Sequence, residues 1–138
     1  MQTVTVVNTQ YLNRTDFLQI LNTGRGNHLV RAGKTNTEGL VAGGGPSPSP
    51  IGNTETWNGT AWSNVADMNT ARRQGTGDGT STSSVAFGGE NAGTARISDT
   101  ELWNGTIWTE SSNMNIGRGT SGSSGVQSSA LAFSGDAH

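Results

Sequence analysis

Cysteine is absent from the chain, and with it go disulfide frameworks and thiolate metal sites, so stability has to come from packing or assembly. Charge is scarce as well, at 13%, and the apolar set AVILMFWYC reaches only 30%, too little for the thick core of an ordinary globular domain. Disorder does not follow, because disordered chains are usually highly charged and poor in aromatics, whereas four tryptophans recur here in register. Nowhere does an apolar run approach the roughly 18 residues that a membrane-spanning helix needs. Residues Met1 to Val7 lack both the cationic and the long apolar part of a secretion signal. These gaps predict a protein made in a cytoplasm, without a membrane span, that reaches the outside of a cell only by lysis or inside a particle.

Other absences narrow the function. The net charge of −2 divides into a mildly basic front, residues 1–40, and an acidic remainder. Neither part carries the basic cluster interleaved with aromatics that neutralises phosphates, so nucleic acid is not an expected partner. The only histidines, His28 and His138, are far apart and the carboxylates are scattered, which assembles neither a metal cage nor a catalytic triad. No enzymatic activity, cofactor or metal is expected. Gly75-Thr76-Gly77-Asp78-Gly79 has the wrong glycine spacing for a phosphate loop and no helix to follow it, which leaves a turn between strands. Asp99 and Glu101 are candidate calcium ligands, but Glu55 at the matching repeat position favours a structural role. Asn13, Asn58 and Asn104 each open a glycosylation triplet, and the last two read better as tight turns.

What is present is repetition. Gly, Ser, Thr and Asn make up about half of the 138 residues, a length suited to one domain with appendages. Thr54-Glu55-Thr56-Trp57-Asn58-Gly59-Thr60-Ala61-Trp62 returns 46 residues later as Thr100-Glu101-Leu102-Trp103-Asn104-Gly105-Thr106-Ile107-Trp108. The same offset joins Met68 to Met114, Arg72 to Arg118, Ala86 to Ala132 and Phe87 to Phe133, and 15 of the 36 aligned pairs from 54/100 to 89/135 are identical. Leu40-Val41-Ala42-Gly43-Gly44-Gly45 matches Val85-Ala86-Phe87-Gly88-Gly89 in character and supplies a third copy of that strand. The Asn-Gly pairs predict type I′ hairpins in which Trp57 pairs with Thr60 and Glu55 with Trp62. Trp57 and Trp62 then share one face, and Thr56 with Ala61, or Leu102 with Ile107, the other. A sheet apolar on both faces must be covered on both, so the hairpins predict stacking of sheet on sheet, and a period in the forties is that of propeller blades.

The ordered set of a Gly-Gly strand, Thr-Glu-x-Trp, a turn, a second Trp and a closing Met-Asn-x-x-Arg resembles the kelch repeat. It is most similar to the variety found in structural and tail proteins of marine bacteriophages, over about two thirds of the chain. Two departures are the Trp where the usual first aromatic is Tyr, and Ser134-Gly135 where Gly-Gly is usual. The resemblance implies an all-β fold with two kelch-like β-propeller blades, residues 39–89 and 90–138, behind a non-repeating docking segment, residues 1–38. Propellers usually need at least four blades, so the propeller is incomplete and is expected to be completed by homo-oligomerisation, such as a trimer, or by further repeats; the ending just after a Gly-type strand looks like a chain interrupted in mid-array. The resemblance further implies a virion protein, in a tail fibre, appendage or head decoration. Its partners would be other virion proteins and a host-surface glycan, or, as a plain cement protein, other capsid or tail subunits alone.

Trp57, Trp62, Trp103, Trp108, Phe87, Phe133, Gly88 and Gly89 are expected in the blade core, because their repeat register favours packing over an aromatic carbohydrate platform. Arg72 and Arg118, at matched positions, are expected to bridge blades. A ligand surface would come from variable loops such as residues 90–98. In front, residues 2–9 alternate as a strand, residues 16–21 fit either a strand or a helical turn, Asn22 to Asn27 read as a turn, and His28 to Arg31 as a strand. Val4, Val6, Tyr11, Phe17, Leu18 and Ile20 are the apolar candidates for docking. Gly43 to Pro50 read as an extended exposed loop.

Overall fold

Runs of four to six residues rich in Thr, Ser, Val and Trp, separated by glycine and Asn-Gly turns, form ten strands in the computed structural model, which describes residues 21–26 and 29–137. They are β1 (Val30–Thr35), β2 (Glu38–Ala42), β3 (Thr54–Trp57), β4 (Trp62–Val65), β5 (Thr76–Thr80), β6 (Ser83–Phe87), β7 (Thr100–Trp103), β8 (Trp108–Ser111), β9 (Gly122–Val126) and β10 (Ser129–Phe133). The fold is all-β, with no helix among the described residues. The strand expected over residues 2–9, the docking residues Val4, Val6, Tyr11, Phe17, Leu18 and Ile20, and both histidines lie outside those residues.

The strands pair antiparallel in chain order, as a sheet β1-β2-β3-β4, a sheet β5-β6-β7-β8 and a two-stranded sheet β9-β10. β1, β5 and β9 start at Val30, Thr76 and Gly122, so the 46-residue sequence period is also the period of the sheets. Residues 30–35 fall inside the segment expected to be non-repeating, yet they form the first strand of the first sheet. The signal they share with the later copies is a single glycine, because the side chains of β1, β5 and β9 otherwise differ. Gly33, Gly79 and Gly125 have φ of +136°, +126° and +135°, and a Cβ at Gly33 would lie 2.8 Å from the Glu38 carbonyl oxygen. Only glycine allows the strand to meet its neighbour so closely at that backbone angle.

The Asn-Gly turns differ from the expected two-residue form. Trp57 pairs with Trp62 and Glu55 with Asn64, and Trp103 pairs with Trp108, so each loop holds four residues. The reason is the Asn58 side chain, whose Oδ1 accepts the N–H groups of Thr60 (2.9 Å) and Ala61 (3.0 Å) while its own N–H donates to the Ala61 carbonyl (3.3 Å). Asn104 does the same for Thr106 and Ile107. Such side-chain capping replaces the turn that would need positive φ at both central residues. The two tryptophans of each hairpin still share a face, now directly opposite each other. Ala61 and Ile107 sit in the loops instead of on the second face, and Ile107 is 51% exposed.

The core lies between sheets. Val30, Leu40 and Ala42 of the first sheet, Ala86, Trp103 and Trp108 of the second, and Met68 from the connection between them form one buried cluster. At this seam β5 runs so close to β1 that a Cβ on Gly77 would lie 2.6 Å from the Val30 side chain. The Gly43 to Pro50 segment is only half what was expected. Gly43, Gly44 and Gly45 are buried, and their N–H groups donate to the carbonyls of Asn53, Arg72 and Gly26. Pro46 to Ser49 form the exposed tip.

Candidate assembly interface

Each four-stranded sheet is fastened to the segment before it by one arginine and one glutamate. After β4 the chain turns through Asn69-Thr70-Ala71-Arg72, and the Arg72 side chain, fully buried, enters the second sheet. Its Nη1 donates to the carbonyls of Gly88 (2.9 Å) and Asp99 (2.8 Å), and Nη2 to Glu101 Oε1 at 2.6 Å. Glu101 on β7, also fully buried, accepts in addition the N–H groups of Asn69 (2.7 Å) and Thr70 (3.2 Å). Asn69 Nδ2 reaches the Trp108 carbonyl at 3.2 Å. Charge pairs this short and this well hydrogen-bonded offset part of the desolvation of the two ions.

The same clamp occurs one unit earlier. Arg25 Nη1 donates to the carbonyls of Gly43 and Asn53, each at 2.7 Å, and Nη2 to Glu55 Oε1 at 2.8 Å. The N–H groups of Asn22 and Thr23 complete Glu55 at 2.5 and 3.1 Å, and Asn22 Nδ2 reaches the Trp62 carbonyl. Asn22-Thr23-Gly24-Arg25 thus plays the part of Asn69 to Arg72. The Asn-x-x-Arg spacing was the available signal, and without the methionine before it the copy reads as a turn.

Electrostatics follow from these contacts. Burial alone would raise the Glu55 carboxyl, but the Arg25 guanidinium and the two N–H donors prevail and hold it below the ordinary range. Burial pulls the Arg72 guanidinium down, opposed by the Glu101 charge. Glu38 and Asp78 are also lowered against the desolvation that raises them, Glu38 by the N–H groups of Lys34 and Ser81 and Asp78 by the Lys34 ammonium. Glu110 is raised, first by desolvation and then by the Glu101 and Asp99 carboxylates. Carboxylates with lowered folded values contribute stability that is present above their unfolded values, about 4, and lost as pH falls through the folded ones. The raised Glu110 acts in the opposite sense. Denaturant midpoints are therefore expected to hold from pH 7 to about 5 and to drop below about 4, with a shallower drop for Glu38→Gln.

The tryptophans form the second fastening. Trp103 and Trp108 lie 5.4 Å apart between ring centroids, and Trp57 and Trp62 5.6 Å. Trp103 is fully buried, and its indole N–H donates to the Ser81 carbonyl at 2.9 Å. Trp108 reaches across the seam to the Thr54 hydroxyl of the first sheet at 2.9 Å. Trp57 and Trp62 are only half-buried, since no described sheet precedes theirs. A third set of contacts is a charge ladder, in which Glu90 binds Arg73 on one side and Arg96 Nη1 (2.9 Å) on the other, while Arg96 Nη2 binds Asp136 at 2.7 Å. It ties the loop of residues 90–98 to the chain that follows β10.

The third sheet is half built. Phe133, expected in the core, is 48% exposed and Leu131 62%, whereas their counterparts Phe87 and Val85 are 5% and 4% exposed. The exposure has a simple cause: Phe87 and Val85 face the next sheet, and no described sheet follows β9-β10. Arg118 is half-buried and donates from Nη1 to the carbonyls of Ser134 and Gly135 at 3.2 and 3.4 Å, with no glutamate among the described residues to match Glu101. Gly88 and Gly89 have φ of +66° and +108°, and their close neighbours are the carbonyls of Arg118 and Arg73. Gln127, in the β9-β10 turn, fixes the hairpin to the second sheet by donating to the carbonyls of Ser84 (2.9 Å) and Trp103 (2.5 Å).

No family model matches the chain, and no curated protein does. Among solved structures, that of YjhT is similar with a TM-score of 0.70 and 16% identity, over 83% of this chain and 39% of that one. At that identity the likeness is one of fold. The chain spans well under half the length of YjhT.

Proposed function

We propose that the chain is a structural protein of a bacteriophage virion, in which the sheets are kelch-like blades of an incomplete β-propeller that is completed by further subunits. The observation that carries the assembly is the third sheet, whose Leu131 and Phe133 stand exposed where the same positions of the second sheet are buried. Exposed apolar side chains at positions built for a seam mark an interaction surface. The likeness to part of a much longer chain supports the same reading. The virion setting rests on the resemblance of the repeats. Docking belongs to the residues before Leu21, since Asn22 to Arg25 serve the clamp, and the loop of residues 90–98 is where a host glycan would be met.

A plain cement role, without a receptor, is favoured by one observation: Trp103, Trp108, Arg72 and Glu101 are all consumed by the seam. Light scattering of the full chain tests the assembly. Self-association is expected, and Leu131→Glu with Phe133→Ser should abolish it while the circular dichroism is unchanged. A folded wild-type monomer would end the reading of pooled blades. Binding on a glycan array separates the adhesive role from the cement role, and absence of the chain from purified particles would overturn both.

A further inference from the structure

We propose that the cleft between the second sheet and β10 is the seat of a Thr-Glu-x-Trp hairpin from a further repeat outside the described residues. This rests on the reading of the chain as a stacking module and gives its partner a chemistry.

Seats of this kind are filled twice in the molecule. The β3-β4 hairpin lies beside β2 and offers Glu55 to Arg25, and the β7-β8 hairpin lies beside β6 and offers Glu101 to Arg72. Trp108 of the second hairpin also donates to Thr54 of the preceding sheet. At the third seat every receiving group is present. β10 pairs with β9 alone among the described strands, and no described residue pairs with its outer edge. Arg118 holds two carbonyls through Nη1, as Arg72 does, and its Nη2 meets no carboxylate among the described residues. Thr100, the counterpart of Thr54, lines the cleft together with Val85, Phe87, Leu102 and Met114. The volume is about 790 Å³, where the first seam holds Trp103 and Trp108.

The two kinds of group specify the occupant. An open strand edge takes another strand, and alternate side chains of that strand fall on one face. A purely apolar strand would leave the Arg118 guanidinium desolvated and unpaired. A carboxylate two residues before an indole, as in Glu101 and Trp103, satisfies the cation and fills the cleft from the same face.

The test is a fluorescently labelled synthetic peptide carrying residues 99–111, titrated against the full chain by anisotropy. Saturable binding is expected, with the Glu101→Gln peptide at least about tenfold weaker, the scale of losing one partner of a buried charge pair. The full chain carrying Arg118→Met should bind weakly and no longer distinguish the two peptides. Because the peptide substitution leaves the protein untouched, the comparison does not depend on how Arg118→Met folds. Absence of binding, or equal binding of both peptides to the wild-type chain, overturns the seat. The mass of the chain separates this failure from that of the assembly reading. A monomer that binds the peptide keeps the seat and ends self-assembly, and an oligomer that ignores the peptide keeps assembly and ends the seat.

Discussion

Arg72→Met is expected to lower the unfolding free energy by about 3–5 kcal/mol, the range for removing one partner of a buried ion pair. Glu101 would be left charged and fully buried with only the N–H groups of Asn69 and Thr70, and the carbonyls of Gly88 and Asp99 would lose their shared donor. Arg118→Met, at the matching position, should lower it by less than about 1 kcal/mol, because its pair is unmade and its hydrogen bonds are long and partly wet. Urea unfolding followed by tryptophan fluorescence reads both. Adding Glu101→Leu to Arg72→Met should restore part of the loss, since an apolar pair is better than an orphaned carboxylate. Equal losses for Arg72→Met and Arg118→Met would mean that the clamp is not what holds the sheets together.

The sequence disclosed the part of this design that depends on side-chain identity and hid the part that depends on backbone. Trp57, Trp103, Arg72 and Phe87 are large or charged and recur at one offset, so the β3-β4 and β7-β8 hairpins, the period and the candidate bridging arginines were all legible. β1 was legible only at its start, where Val30 and Arg31 belong to the strand read over His28 to Arg31; its place in the repeat was not, because what it shares with β5 and β9 is one glycine, and a strand defined by a close backbone approach leaves little trace in residue type. The clamp was legible by halves. Arg72 and Arg118 stood out as matched positions, but Arg25 falls in a segment with one more residue before the next sheet, which breaks the 46-residue offset, and the roles of Glu55 and Glu101 as acceptors appear only when β3 and β7 are laid against the turns before them. The hairpin register departs from the two-residue form for a related reason. Asn-Gly permits a two-residue turn, but asparagine also carries a carbonyl able to cap a longer loop, and Oδ1 of Asn58 and Asn104 takes that second course.

Trp103→Ala tests the claim that the core is a seam. The side chain is fully buried, packs on Trp108 and ties β7 to the Ser81 turn, so its removal should lower the unfolding free energy by about 3–5 kcal/mol, as for a large aromatic cut from a core. Trp57 has matching neighbours within its own sheet, packing on Trp62 and donating its indole N–H to the Asn36 carbonyl at 3.1 Å, but it is only half-buried. Because the hydrophobic contribution scales with the area removed from water, Trp57→Ala in dilute protein should cost about half as much. The comparison also reports on assembly. If the Trp57 face is covered by another subunit, the cost of Trp57→Ala must grow with protein concentration while that of Trp103→Ala grows less, because association stabilises the folded state by mass action only when the contacting residue is intact. Equal costs at every dilution would place the two tryptophans in equivalent surroundings within one chain, and the distinction between a closed seam and an open face would be lost.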